Sequence, residues 1–466
     1  MRRRALHPTE ITEAAIAAIE ALNPTLNALV LEDFERARAR SRSLDPDAPL
    51  AGVPFLIKDV DVHTEEWPTT NSSRFFADAK PRADSEMVRR WRRAGTVFLG
   101  KTNTPEFADD FVTEPEFRGV TRNPWDLGRT VGGSSGGAAA AVACGMVPVA
   151  HGSDVGGSIR VPSACCGLFG LTPSRGLNPA GPHTSELGGN LNCEHVLSRS
   201  VRDSAAFLDA TAGPELGAPY RVLRPVSSYL AALAEPLRPL SVVVIDRRLD
   251  GTRVEPEIEA RLADAAALLE ALGHSVVPGQ FPEAAARAAA GHGWSALWLM
   301  DIAYAIEERA AELGRPPGLG EIEAFPRHAL ATISGMSATQ YYEARRTAHR
   351  VSLAMAQAFS AYDIILTPTV GTLPPPVGAI DSHSAAFVFE RWAEAAYRFA
   401  PFSEIFNVTG QPAANVPLFQ SAGGLPIGMQ FVGRQDEDHV VLRLAAQLEH
   451  ARPWDRIPAM WAGDRS

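Results

Sequence analysis

Cysteine is scarce in this chain, and the four present, Cys144, Cys165, Cys166 and Cys193, show neither zinc-type spacing nor the pattern of a disulfide framework. Cys165 and Cys166 lie in an apolar run, the setting of packing residues, and are assigned no chemistry. Long hydrophobic runs are missing too: no stretch approaches the ~20 apolar residues of a membrane span. The basic start, Met1 to Arg4, is followed by Glu10 and Glu13 before any apolar signal core can form. Beyond the short Arg89–Arg93 cluster there is no basic stripe, and 44 Lys and Arg against 54 Asp and Glu leave a net charge of −10. Nucleic acid is therefore not expected as a partner, nor a membrane, and the chain reads as cytoplasmic. What is present is an ordinary globular composition, 45% hydrophobic and 21% charged over 466 residues, with no fixed repeat. Length alone leaves two lobes and one large layered domain both open.

Apolar spacing at Ile11, Ala15, Ile16, Ile19 and Leu22, interrupted at Pro24, predicts two helices within an N-terminal flank of about residues 1–50. GVPFLIKD, 52–59, reads as a buried strand ending in Lys58. A lysine there is either a strand-end residue snorkelling to water or a group with work to do. Residues 85–94 predict a helix and 96–99 a strand closed by Gly100; NPWDLGRT, 123–130, is turn-rich without strand character, and 138–144 favours a helix. Pro256 and Gly273 bracket a helix, followed by a strand over 275–278. Residues 281–360 are helical in pattern, broken by Pro316, Pro317 and Pro326, within a variable helical layer of about 215–360, and strands return at 364–367 and 426–432. Helices alternating with short apolar strands predict an α/β fold around a largely buried sheet.

Two motifs mislead. GTVFLGKT, 95–102, matches a phosphate-binding loop, but Val97, Phe98 and Leu99 are strand formers that favour burial. GGSSG, 132–136, matches a nucleophile elbow with Ser134 at its centre, yet no strand precedes it, so an α/β-hydrolase with Ser134 as nucleophile is the weaker alternative. The densest chemical signal spans 132–170. Ser134 and Ser135 lie just ahead of a helix, and Val155, Gly156 and Gly157 lead into Ser158, where glycines let successive amides turn toward a ligand. Each piece alone is a turn or a cap. Together with Lys58 they make a chemical set: a serine needs a base, and a neutral lysine serves where no histidine does. His151 and His195 read as structural or pocket-lining, because His151 lies in a strand end and His195 has no carboxylate orienter by spacing. Asp154 and Arg160 flank the second loop as a stiffening pair or as substrate contacts.

PFLIKD, GKTNTPEF, TRNPWD, the 132–170 tract and FNVTGQPAANVPL together resemble the amidase signature family over nearly the whole chain. The resemblance implies one α/β domain over 1–466, with a central mixed sheet flanked by helices on both sides. It implies a Ser-Ser-Lys triad of Ser158 as nucleophile, Ser134 as proton bridge and Lys58 as base, with backbone amides of Val155, Gly156, Gly157 and perhaps Ser158 as oxyanion hole. The two serines stand 24 residues apart, as in that family. The implied reaction is hydrolysis of a small-molecule amide, a linear one above all, through an acyl-enzyme, without metal or organic cofactor and possibly as a homodimer. Amide formation or transfer by the same triad, and a non-catalytic binding protein, are the alternatives. Thr172 departs from the family's usual lysine, with surface charge or partner contacts expected to change. AHGSD, 150–154, and CEHVLSRSVRD, 193–203, are similar to the bacterial branch containing 6-aminohexanoate cyclic dimer hydrolase. The acyl pocket is expected from 172–192, from the region of Trp294 and Trp298, and from 407–412, with no evident anchor for a charged group.

Overall fold

The computed structural model describes residues 6–81, 83–290, 293–454, 457–458 and 461. Thirteen strands occur among them: β1 (Leu29–Glu32), β2 (Pro54–Lys58), β3 (Val97–Thr102), β4 (Arg122–Asn123), β5 (Asp126–Thr130), β6 (Val149–Asp154), β7 (Phe169–Thr172), β8 (Cys193–Ser198), β9 (Ser241–Ile245), β10 (Ser275–Gly279), β11 (Ile364–Pro368), β12 (Ala413–Gln420) and β13 (Pro426–Val432). Eleven of these form one mixed sheet in the order β1-β3-β2-β6-β8-β7-β12-β13-β11-β9-β10. β3, β2 and β6 are mutually parallel, as are β11, β9 and β10, while the centre is antiparallel.

Helices cover both faces, as the alternation along β2 requires. Leu56 packs with Ile16 and Ile19 of the helix Pro8–Leu26 and with the alanines of the helix Gly136–Ala143. Phe55 and Ile57 point the other way, against Trp91 of the helix Glu86–Ala94 and Phe207 of the helix Val201–Thr211. A strand buried on both faces reads as a continuous apolar run, which is what PFLI is.

Several local expectations are corrected. β1 lies between the two N-terminal helices, and Pro24 falls inside the last turn of the first helix without ending it. Gly100 does not close a strand: β3 runs through it to Thr102, and a side chain there would collide with the β1 backbone at Leu31. The pairing of β2 with β3 skips Leu99, and this bulge puts Lys101 beside Ile57, on the face opposite Leu56. GTVFLGKT is thus strand. The segment 122–130, read as turns only, forms the β4–β5 hairpin. Within the helical layer of 215–360, β9 and β10 extend the central sheet along β11.

Candidate active site

Lys58 ends β2 two residues after Leu56, so it emerges toward the helix Gly136–Ala143 and the serine loop ahead of it. Its side chain is fully buried; Nζ lies 2.6 Å from Ser134 Oγ and 3.0 Å from Ser153 Oγ. Burial pulls the Lys58 amine down to about 8, against the opposing pull of the Asp61, Glu194 and Asp154 carboxylates. As a neutral amine, Nζ can accept the Ser134 proton on its lone pair while donating to Ser153. Asp59, the next residue, turns away: its Oδ1 accepts from Lys101 Nζ at 2.9 Å and from the Thr70 amide at 3.0 Å. The carboxylate that acts most on Lys58 is Asp61, itself pushed up to about 6, by burial first and by Glu194 next. Asp61→Asn, acceptable at the left-handed backbone of residue 61 (φ 64°), should lower the Lys58 pKa, because it removes a charge that favours the ammonium. The alkaline rise in rate then moves to lower pH; an unmoved pH profile refutes the coupling.

The two serine loops meet through the Ser135 amide, which donates to the Ser158 carbonyl at 3.1 Å. Ser134, fully buried, follows a cis Gly133–Ser134 peptide. Ser158, 7% exposed, stands between Gly157 and the helix Arg160–Cys166. Among the described residues no hydrogen bond joins its hydroxyl to Ser134, so the structure brings Lys58 and Ser134 together and leaves Ser158 beside them unbonded.

The loop leading to Ser158 is fixed by a fully buried pair, Asp154 and Arg160. Arg160 donates to both Asp154 oxygens (2.7 and 3.1 Å), to the Ser403 carbonyl, to Gln430 Oε1 and to Asn407 Oδ1. Burial alone would raise the Asp154 carboxyl, but the Arg160 guanidinium and the bonds from the Ile159 amide and Thr172 hold it far below the usual range. The pair therefore stiffens the loop. Thr172 is part of it, buried with Oγ1 2.7 Å from Asp154 Oδ2, which corrects the expectation of a surface role. Arg160→Met leaves Asp154 buried and unpaired and should cost about 3–5 kcal/mol; chemical denaturation measures it, and a loss near zero contradicts the brace.

Asp154 also decides which amides remain. The Gly157 amide donates to Asp154 Oδ1 at 2.8 Å, so of the three candidate oxyanion donors Gly157 is already engaged. The amides of Val155, Gly156 and Ser158 have no acceptor among the described residues. Ser403 Oγ donates to the Gly156 carbonyl at 2.6 Å and fixes that peptide's orientation.

Both ring nitrogens of His151 are occupied: Nδ1 accepts from the Lys58 amide at 3.2 Å, and Nε2 lies 2.5 Å from Glu194 Oε2. Burial, then Lys58, lowers its pKa to about 3, so it stays neutral and structural. His195 Nε2 pairs with Ser204 Oγ at 2.8 Å, away from the serine loops. Gly188 packs on Val155, while Phe111 and Glu404 flank Gly156 at 3.7 and 3.6 Å from where a β-carbon would be. Trp298 Nε1 donates to Glu404 Oε1 at 3.2 Å, so the expected pocket residue Trp298 is present together with a buried acid the sequence did not suggest. Asn407 serves the loop, its Nδ2 donating to the Asp154 carbonyl and Oδ1 at 2.7 and 2.9 Å. Ser153, Asp61, Glu194 and Asn407 are the site residues absent from the sequence reading.

This sheet, with a buried lysine amine on a serine hydroxyl beside a second serine on a glycine turn, belongs to the amidases: the Amidase family pattern matches residues 10–442, and the chain is a member of that family. It is accordingly a hydrolase of non-peptide carbon–nitrogen bonds in amides. Among named relatives, the 6-aminohexanoate-cyclic-dimer hydrolase of Paenarthrobacter ureafaciens is 36% identical over 463 residues, covering 96% of this chain and 92% of that one. A solved structure of 6-aminohexanoate cyclic dimer hydrolase superposes with a TM-score of 0.94 at 35% identity, over 98% of this chain and 96% of that one. A bacterial aryl acylamidase belonging to the amidase signature enzymes superposes with a TM-score of 0.88 at 28% identity, over 99% and 96%. No helix among the described residues is long and apolar enough to cross a membrane.

Proposed function

We propose that this amidase, one domain over its whole length, cleaves its substrate through a Ser-Ser-Lys triad. Ser158 Oγ attacks the amide carbonyl as its proton passes to Ser134 and the Ser134 proton passes to neutral Lys58. The amides of Val155, Gly156 and Ser158, which lack protein acceptors, hold the developing oxyanion. The relay then runs backward, the leaving nitrogen departs protonated, and water releases the acid from the Ser158 ester. The observation that carries this reading is the 2.6 Å bond between two fully buried groups, Lys58 Nζ and Ser134 Oγ, with the amine lowered to about 8. The open Ser134–Ser158 step fits the general behaviour of catalytic hydrogen bonds, which often tighten only around substrate. Four buried, unpaired cysteines suit a reducing compartment such as the cytoplasm.

The substrate is a small amide with an uncharged or apolar acyl group. Phe111 and Trp298 near Gly156 support an apolar acyl side, and the likeness to a cyclic-dimer hydrolase and an aryl acylamidase brings cyclic and aryl amides in beside linear ones. Rates on matched aliphatic, aryl and cyclic amides test this. Turnover of neutral amides with rejection of analogues charged in the acyl part is expected; preference for the charged analogues overturns it.

A further inference from the structure

A cavity of about 520 Å³ opens away from the serine loops, with none of Lys58, Ser134 or Ser158 in its wall. Its lining carries three guanidinium groups, Arg175, Arg221 and Arg345, and a single carboxyl, Asp436. One side is the helix Ala338–Phe359, which presents Arg345, His349 and Ser352 at spacings of four and three, one continuous face. On the other side Arg175 is held rigidly: its terminal nitrogen donates to the carbonyls of Asn407 and Val408 at 2.5 and 2.7 Å, while Nε is buried with no partner. No carboxylate is hydrogen-bonded to Arg175 among the described residues. Arg345 has one, Glu186 at 3.2 Å, but Glu186 also accepts from Tyr220 at 2.6 Å and lies outside the cavity wall. Buried guanidinium groups with donors to spare, gathered around a polar cavity, are the arrangement that receives an anion.

The cavity also borders the catalytic loop. Gly189, Asn190 and Leu191 form part of its wall. On one side of them Gly188 packs on Val155, and on the other the Asn192 side chain accepts from the Asp154 amide at 3.2 Å and donates to Glu194 at 2.6 Å. Val408 and Thr409, in the wall, follow Asn407, which holds Asp154. The geometry points to a second ligand site, separate from the serines, that binds a small molecule through its carboxylate. Carboxylate is the group every turnover of an amidase releases, so the site can take the enzyme's own product class. It lies where occupancy bears on the loop before Ser158.

Titration calorimetry with hexanoate and with adipate, on the whole chain before and after covalent blocking with a fluorophosphonate, tests this; inorganic phosphate is the third probe. Saturable one-to-one binding of a carboxylate that survives blocking is expected. Arg345→Gln should weaken it by about tenfold or more, the loss of one charge-assisted contact. Glu186→Gln should tighten it, because Arg345 is released from its counter-ion; this opposite sign separates a ligand role from general damage to the fold. Absence of binding, loss of binding on blocking, or equal affinity in both variants overturns the proposal. Tighter binding of phosphate than of either carboxylate overturns the assigned ligand class.

Discussion

Ser158→Ala is expected to remove turnover almost completely, by on the order of 10⁶-fold, the scale at which a lost nucleophile leaves only binding and oxyanion stabilisation. The substitution removes one oxygen from a residue 7% exposed, and its backbone contact, the Ser158 carbonyl to the Ser135 amide, does not involve the side chain. Folding stability should therefore change little. Ser134→Ala differs in kind: it breaks the contact with Lys58 and leaves the attacking hydroxyl without a relay. A Ser158→Ala protein that turns over amides at near-normal rates excludes this residue as nucleophile.

Lys58→Ala should lower the acylation rate by about 10²–10⁴-fold, the range of a general base, and should also erase one limb of the pH profile. The sign follows from the proton inventory. Below about 8 the Lys58 amine carries its proton and cannot start the relay; above it the amine is neutral and the rate levels off. The wild-type acylation rate should thus rise tenfold per pH unit below about 8 and plateau above, well short of a free lysine at about 10.4. Lys58→Arg should not rescue, since arginine stays charged. If Lys58→Ala acylates normally with an unchanged profile, another base is at work. His151 would be the residue to examine, although both its nitrogens are occupied in this structure.

The sequence carried the frame of this site because its signals are local. PFLIK is a short apolar run and forms β2; GGSI and the small residues of 138–144 need close packing and form the loops and helix beside it. A further local signal was overlooked. The chain has only three lysines, Lys58, Lys80 and Lys101, among its 44 basic residues, and two of those three are fully buried in the interior around the site. In an arginine-rich chain, a lysine retained in an apolar strand points to an amine that must lose its proton. The Asp154-to-Gly157 bond was also within reach, since an Asp side chain commonly caps an amide a few residues on.

What was not legible is set by long-range packing. Ser153 and Glu194 reach Lys58 and His151 only because β2, β6 and β8 are neighbours, and Asn407 reaches Asp154 across 253 positions. The burial of Thr172 depends likewise on β7 lying between β8 and β12. The charge around Lys58 ran against expectation for the same reason. Burial lowers its pKa as anticipated, but nearby carboxylates from distant segments oppose that shift where only the positive potential of backbone amides had been foreseen.

Peptide mapping after reaction with a fluorophosphonate tests the central claim most directly, because it reads which oxygen becomes covalently bonded. The account predicts one modified residue, Ser158, in the wild-type chain, slower modification of the same residue in Lys58→Ala, and none in Ser158→Ala. Label on Ser134, persisting in Ser158→Ala, would contradict it and make Ser134 the nucleophile.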